Sequence, residues 1–534
     1  MPRRNLTVIL ILALISVLYF LAFIPANSAG SENHAMVGIF EPDEGATHSV
    51  VDRMTSPKAD VSDWLKHFVR YDFYHYGFPF FAISSIPAYL TRWLGYYENL
   101  SVLMASYRQF VNVLPMIIAI WILAWLQDRL SSWRSVAIAL LLMSVPAVVR
   151  NGLWWHPDGL TLLSSVLILW ALWKDQRQFG KYFFIAAALT GFLIAMKLVG
   201  FYFFLAIAML LVWGIKEKTL TFKQAFHKGL LFMLVMGVAI FLSNPFMFSW
   251  PDLRKYGAII LREVGELSQG YGTVYETGLK AAWPIMREYY GEAVFILLAV
   301  GATIYGIIKD RNRLFCALSL AWFIPLTFSL LTTTHFKFQY WFPVAIPLFS
   351  NIAVLFPQKG ELKKPAQKIA LAALAILLLW QGYHFISADI KRLQDQVNRV
   401  ENSAEIAFYD TVREELSPLA GVNVKVYYDY RLYLPYPDGW NISTSFDLLD
   451  YPFVQENKYD VLLLLRQRIR DYIQEGAIGV DPERFPMNQA FYRDADNGSI
   501  AGFQLVYRDD TGLIFVKDAV CEQYFPGGTC QSQP

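Results

Sequence analysis

The chain is 534 residues long, 55% hydrophobic and only 17% charged, with a formal net charge of +2. Soluble domains run at roughly 45–50% apolar and about 25% charged, so this balance excludes a disordered chain and a nucleic-acid binder and argues against an ordinary soluble enzyme. Aromatic residues reach 16%, which suits many membrane–water boundaries.

In chain order, the first element is an apolar run from about Leu6 to Ile24, preceded by Arg3 and Arg4. ANSAG behind it is faintly like a signal-peptidase site. The run exceeds a signal-peptide core of roughly 7–15 residues, so it reads as an uncleaved span. Further spans are expected near 107–126, 133–150, 157–174, 181–197, 198–214, 228–247, 290–308, 314–331, 338–356 and 368–387. That makes about eleven, each near the roughly 20 residues that a bilayer needs.

One set of short loops is rich in cations. It holds Arg129 and Arg134; Lys174, Arg177 and Lys181; Lys216, Lys218, Lys223 and Lys228; Lys309, Arg311 and Arg313; Lys359, Lys363, Lys364 and Lys368. The opposite short loops hold only Arg150, Lys197 and Lys337. The positive-inside rule makes the first set cytoplasmic. Residues 25–106 then form an external loop. The apolar stretch FPFFAISSIPAYLTRWLG (78–95) must begin and end on one face, so it reads as a helix lying in the interface.

After about residue 388 the pattern becomes soluble. Strands are expected at 422–428, 459–465, 503–507 and 513–516, and a helix at about 402–416. Pro435, Pro437 and Gly439 mark a loop. The expected organisation is a transmembrane domain over 1–387 and a C-terminal extracytoplasmic α/β domain over 388–534. Cys316 reads as core filler. Cys521 and Cys530 either pair, if their end lies outside the cytoplasm, or stay two free thiols.

Four segments carry residues capable of chemistry. GIFEPDEGATHSVVDRM places Glu41, Asp43 and Glu44 just past the first span. These are solvated acids at a helix start, with Asp43 as its cap, or a carboxylate pair suited to general-base catalysis. RYDFYHYGFPFF holds Asp72, His75 and Tyr76, either packing groups or contacts to a phosphate or metal. RNGLWWHPDGLTLL holds Arg150, His156 and Asp158; Asp158 is a helix-start acid or a second functional acid. TTTHFKFQYWFPVAIP holds His335, Lys337, Gln339 and Tyr340. Arg150, Lys197 and Lys337 break the positive-inside pattern at outer span ends. They are either tolerated strays or the headgroup-depth cations that a lipid-linked phosphate needs. The long connector 243–278 could cover a substrate. The sequence names no cofactor; a divalent metal on His75, His156 or His335 with Asp43 or Asp158 stays open, without an HExxH spacing.

These pieces, in this order, resemble the GT-C superfamily of polytopic glycosyltransferases, with protein O-mannosyltransferases and lipid A aminoarabinose transferases as the nearest relatives. GIFEPDEGATHSVVDRM is similar to that family's acidic first-loop motif, YHYGFPFF to its entry to the juxtamembrane helix, and WWHPDGLTLL to its second acidic site. AMKLVGF resembles its Lys-Gly hairpin, and KFQYWFP its Lys-x-x-Tyr-x-x-Pro segment. The resemblance covers roughly residues 1–360. It implies a GT-C-like bundle and an inverting glycosyltransferase with a polyprenyl-phosphate sugar donor. It makes Asp43 the base, Glu44 its assistant, Asp158 the second acid, and Lys197, Lys337 and Tyr340 contacts to the donor. Phe78 departs from the aminoarabinose transferases, which carry a lysine there; Arg150 and His75 are the candidates to replace that cation. The acceptor would be a lipid, glycan or protein. The place would be a bacterial inner membrane, with the site and the C-terminal domain outside the cytoplasm. The competing readings are a secondary transporter, whose ionisable groups would sit at mid-membrane within repeats, and a non-enzymatic assembly subunit, which would need none of Asp43, Asp158 or Lys337.

Overall fold

The computed structural model describes residues 3–269, 272–357, 365–435, 439–525 and 530. Lys359, Lys363, Lys364, Pro437 and the loop 526–529 lie outside the described residues.

All eleven apolar segments are predominantly helical. By length and apolarity alone, seven helices among the described residues could cross a membrane: Asn5–Ser28, Leu100–Asp128, Leu198–Lys216, Phe222–Ser243, Arg313–Thr332, Phe338–Leu355 and Pro365–Val397. The number rises to nine if each of two bent pairs is one span. The first pair, Trp133–Met143 and Pro146–Gly152, turns by 65°. The second, Leu279–Tyr290 and Ala293–Ile308, turns by 82°. Pro146 starts the second helix of the first pair, because proline lacks the N–H that would continue the preceding helix. Lys181–Met196 is apolar but shorter. Leu10, Leu14, Val17, Leu18 and Leu21 are each more than half exposed. Such a stripe is unfavourable against water and suits lipid.

Phe78–Trp93 buries Phe80, Phe81, Ser84, Ala88 and Thr91 and exposes Ile86, Tyr89, Leu90 and Trp93. The outward row is as apolar as the inward one, the pattern of a helix laid on an apolar surface. The preceding helix, Val61–Val69, ties to it by a hydrogen bond from Trp64 Nε1 to Tyr89 Oη (2.9 Å).

The chain divides into two compact units. One comprises Met1–Ser28, Thr47–Gly265 and Thr277–Val397; the other comprises Ala29–Ala46, Glu266–Glu276 and Asn398–Pro534. This differs from a single cut after residue 387. The last long helix runs on to Val397, and two upstream segments join the C-terminal unit. Within that unit, Val274 N–H donates to Ile478 O and Val480 N–H to Gly272 O.

The C-terminal unit is built on five strands: β1 Lys425–Tyr428, β2 Asn441–Ser443, β3 Val461–Leu465, β4 Phe503–Arg508 and β5 Gly512–Lys517. Their order is β2-β1-β3-β5-β4. β1 pairs in parallel with β2 and β3, while β5 runs antiparallel to β3 and β4. β3 is VLLLL and every residue is buried, because both faces of this central strand are covered. Val461 and Leu463 join Phe408, Val412 and Ile514 on one side. Leu462 and Leu464 join Phe491, Tyr492 and Phe515 on the other. The expected four strands and the helix, found as Ala404–Glu415, are present. Sequence reading missed β2, whose three residues are too short to show alternation. Cys521 and Cys530 form a disulfide.

At the end of β1, fully buried Asp429 accepts from Arg468 Nη1 (2.8 Å) and from the N–H of Leu465 (2.6 Å). Burial pushes the Asp429 carboxyl above its ordinary range, and Arg468 opposes that rise. Removing one partner of a buried pair strands the other charge, at about 3–5 kcal/mol. Arg468→Met should therefore lower the melting temperature at pH 7 relative to the unmodified protein. The deficit should be smaller at pH 5 than at pH 7, because burial already favours the protonated Asp429 carboxyl and loss of Arg468 favours it further. Paired thermal unfolding at the two pH values checks both the sign and its pH dependence.

Candidate functional site

In the first unit, Asp158 is buried at 1% exposure and opens the helix Asp158–Asp175. Lys197 Nζ donates to its Oδ1 (2.5 Å). Its Oδ2 bonds His156 Nδ1. A carboxylate only accepts, so Nδ1 carries a proton, and Nε2 bonds Tyr76 Oη (2.7 Å). The sequence-expected residues Tyr76, His156, Asp158 and Lys197 thus form one continuous chain of hydrogen bonds.

The backbone around this chain is held at two points. Asn112 Nδ2 donates to His156 O (2.9 Å) from a π-helical turn, Arg108–Val113. Such turns inside an α-helix are rare and re-aim a side chain. A Cβ at Gly159 would lie 2.6 Å from Asn112 Cα, so the residue after Asp158 must be small. The second point fixes Lys197. Gly77 N–H donates to Met196 O (3.2 Å). Buried Asn244 donates to Ala195 O (3.1 Å) and accepts from Phe78 N–H (2.9 Å). Gly77, Phe78 and Asn244 together hold the end of the helix Lys181–Met196, from which Lys197 departs in an extended conformation.

Lys197 Nζ stands 5.2 Å from the centroid of the Tyr340 ring, and Lys337 Nζ stands 5.9 Å from the same centroid. Two ammonium groups therefore share one aromatic ring. Lys337 is exposed and immediately precedes the helix Phe338–Ser350. His335 lies in the same loop; burial, and then the Lys337 charge, hold its pKa below the usual imidazole value. Arg150 joins the cluster through an intermediary. Its guanidinium lies 5.6 Å from the Trp154 ring, and Trp154 stacks on His156 at 4.2 Å and 2°.

His75 goes elsewhere. Its Nδ1 meets Glu263 Oε1 at 3.2 Å on the helix Trp250–Gly265. That pairing, with burial opposing it, lowers the Glu263 pKa. The same helix accepts Tyr74 Oη and Arg70 Nε on Asp252 (3.0 and 3.2 Å). The helix Trp250–Gly265 of the 243–278 connector is thus packed on the segment 70–75. Among the described residues no three His, Cys, Asp or Glu side chains cluster in a way that could hold a metal ion. His156 has both ring nitrogens engaged, so the donor set expected for a divalent metal does not fit one.

Asp43 and Glu44 fall in the second unit and in the first turn of the helix Pro42–Thr55. Asp43 is exposed and Glu44 is fully buried. Asp43 sits inside the helix rather than capping it, because Pro42 already supplies the helix start.

Sequence reasoning missed Asn112, Asn244, Trp154 and Gly77. Of these, Gly77 left a signal: a glycine directly before a proline-led helix.

No protein-family model and no curated protein sequence matches the chain. Among solved structures, ArnT from Cupriavidus metallidurans in the apo state superposes with a TM-score of 0.51 at 11% identity, covering 95% of this chain and 97% of that one. ArnT from the same organism bound to undecaprenyl phosphate gives 0.48 at 10% identity, over 98% and 99% of the two chains. The apo oligosaccharyltransferase of Archaeoglobus fulgidus gives 0.49 at 13%, over 96% and 80%. The apo ArnT match shows that the chain shares the fold of that protein.

A Cβ on Gly77 would lie 1.5 Å from Ala195 O, so the backbone must move. Gly77→Ala should displace Lys197 and cost about 1–3 kcal/mol, the usual cost of overpacking. Thermal unfolding in detergent measures it, with Gly257→Ala as control; a Cβ there meets nothing within 4 Å.

Proposed function

We propose that the protein is a membrane glycosyltransferase that moves a sugar from a polyprenyl-phosphate donor to an acceptor at the outer membrane face, with inversion at the anomeric carbon. The observation that carries the reading is the pair of ammonium groups, Lys197 and Lys337, on the Tyr340 ring. The departing group in such a transfer is a lipid phosphate. Its negative charge grows as the sugar–oxygen bond breaks, and pre-placed cations lower the barrier by stabilising that charge. Lys337 is exposed and available to an incoming phosphate. Lys197 is anchored by Asp158, so its position is fixed before the donor arrives and no reorganisation is needed.

Asp158 then acts as the anchor of Lys197, not as a proton acceptor, since both its oxygens are already engaged. Asp43 is the base, an exposed carboxylate with access to an acceptor hydroxyl or amine. Glu44 assists it. The fold supports the assignment: ArnT, whose apo state shares it, has also been solved with undecaprenyl phosphate. The disulfide between Cys521 and Cys530 supports an extracytoplasmic C-terminal unit, because cytosolic thiols are kept reduced.

The test is release of undecaprenyl phosphate from a panel of undecaprenyl-phosphate-linked hexoses and pentoses, with membranes supplying the acceptor. Wild-type protein should turn over at least one donor; failure with every donor contradicts the reading. Asp43→Asn should lower turnover by about 10²–10⁴, the usual contribution of a general base. Lys337→Gln should weaken undecaprenyl phosphate binding about 10- to 100-fold, the loss of one charge-assisted hydrogen bond. Equal affinity in that variant, measured by native mass spectrometry, would remove Lys337 from the phosphate site.

A further inference from the structure

We propose that Arg399 is a positioning residue for Asp43, so that residues beyond the last long helix set the geometry of the base; the inference rests on the reading of Asp43 given above. Arg399 lies two residues past the helix Pro365–Val397 and is 8% exposed. Its Nε and Nη2 donate to Ala29 O (2.9 and 2.6 Å), and Nη2 also reaches Gly30 O (3.3 Å). The same guanidinium lies 4.4 Å from the centroid of the Phe40 ring. One planar cation therefore grips both ends of the segment Ala29–Phe40. Lysine cannot reproduce this, because it lacks the flat fork that bonds and stacks at once.

The grip is transmitted over a short path. Phe40 ends the helix His34–Phe40, and Glu41 caps it. Glu44 N–H donates to Glu41 O (2.9 Å), which joins that cap to the first turn of the helix bearing Asp43. Gly30 has φ +65°, and a Cβ there would lie 2.4 Å from Arg399 Nε and 2.8 Å from the Phe40 ring. The other support is Asn33, which caps the helix His34–Phe40 through Met36 N–H and donates to Tyr433 Oη (3.0 Å). Losing Arg399 leaves two carbonyls without this donor and frees Phe40. Asp43 then keeps its chemistry but loses its fixed placement, and a displacement of about 1 Å can cost 10²-fold in rate.

The experiment uses the full-length protein in detergent, with Arg399→Gln, Arg399→Lys and Asp43→Asn compared with wild type on the donor panel above, and hydrogen exchange followed by mass spectrometry. Arg399→Gln should lower kcat about 10- to 100-fold while donor KM stays within about twofold, because the phosphate cations are untouched. Arg399→Lys should recover part of kcat. Exchange should rise in residues 33–46 and stay unchanged in β1 and β3. Wild-type kcat in Arg399→Gln, beside an inactive Asp43→Asn, overturns the positioning role and leaves the base assignment standing. Full activity in Asp43→Asn overturns the base assignment itself. A fall in kcat without faster exchange in 33–46, or with equal loss of protection in β1 and β3, also overturns the proposal, since the effect is then not local to the segment.

Discussion

A carboxylate buried without a partner is prohibitively unfavourable, and Asp158 answers that constraint with an ammonium on one oxygen and an imidazole on the other. Much of the first unit's local geometry follows from it. The π-helical turn exists where Asn112 must reach His156 O. Gly159 is small because the Asn112 backbone is there. Gly77, Phe78 and Asn244 brace the end of the helix from which Lys197 departs. Lys197, so held, is placed at the Tyr340 ring beside Lys337. Stabilising one acid thus fixes one cation, and a fixed cation is what a phosphate leaving group needs.

The two acids flagged in the sequence end in different physical states. Asp158 is buried, with a partner on each carboxylate oxygen. Asp43 is exposed, on a helix whose first turn belongs with the C-terminal unit. Arg399 of that unit holds the segment leading to Asp43.

The apolar helices were legible because a bilayer imposes length and composition on each segment independently, and β3 was legible because a doubly covered strand must be apolar throughout. Tyr76, His156, Asp158, Lys197, Lys337 and Tyr340 were legible as charges and aromatics at span ends, although only coordinates could show which of them touch. The pairing of His75 with Glu263 spans 188 residues and leaves no local trace in the sequence. Three histidines can be counted in a sequence, but among the described residues His75 pairs with Glu263, whereas His156 bonds Tyr76 and Asp158. Asn112 and Asn244 were invisible because a buried asparagine that bonds backbone has no spacing signature. The recruitment of Ala29–Ala46 to the C-terminal unit was hidden by chain distance, since Arg399 reaches back 370 residues to Ala29.

The central claim is that Lys197 and Lys337 jointly receive a lipid phosphate. A cryo-electron microscopy structure of the full-length protein with undecaprenyl phosphate tests it most directly. The account predicts the phosphate within about 4 Å of both ammonium nitrogens, the distance of an ion pair, with the Asp158–Lys197 contact intact. A headgroup bound elsewhere, with neither Lys197 nor Lys337 near it, would contradict the account.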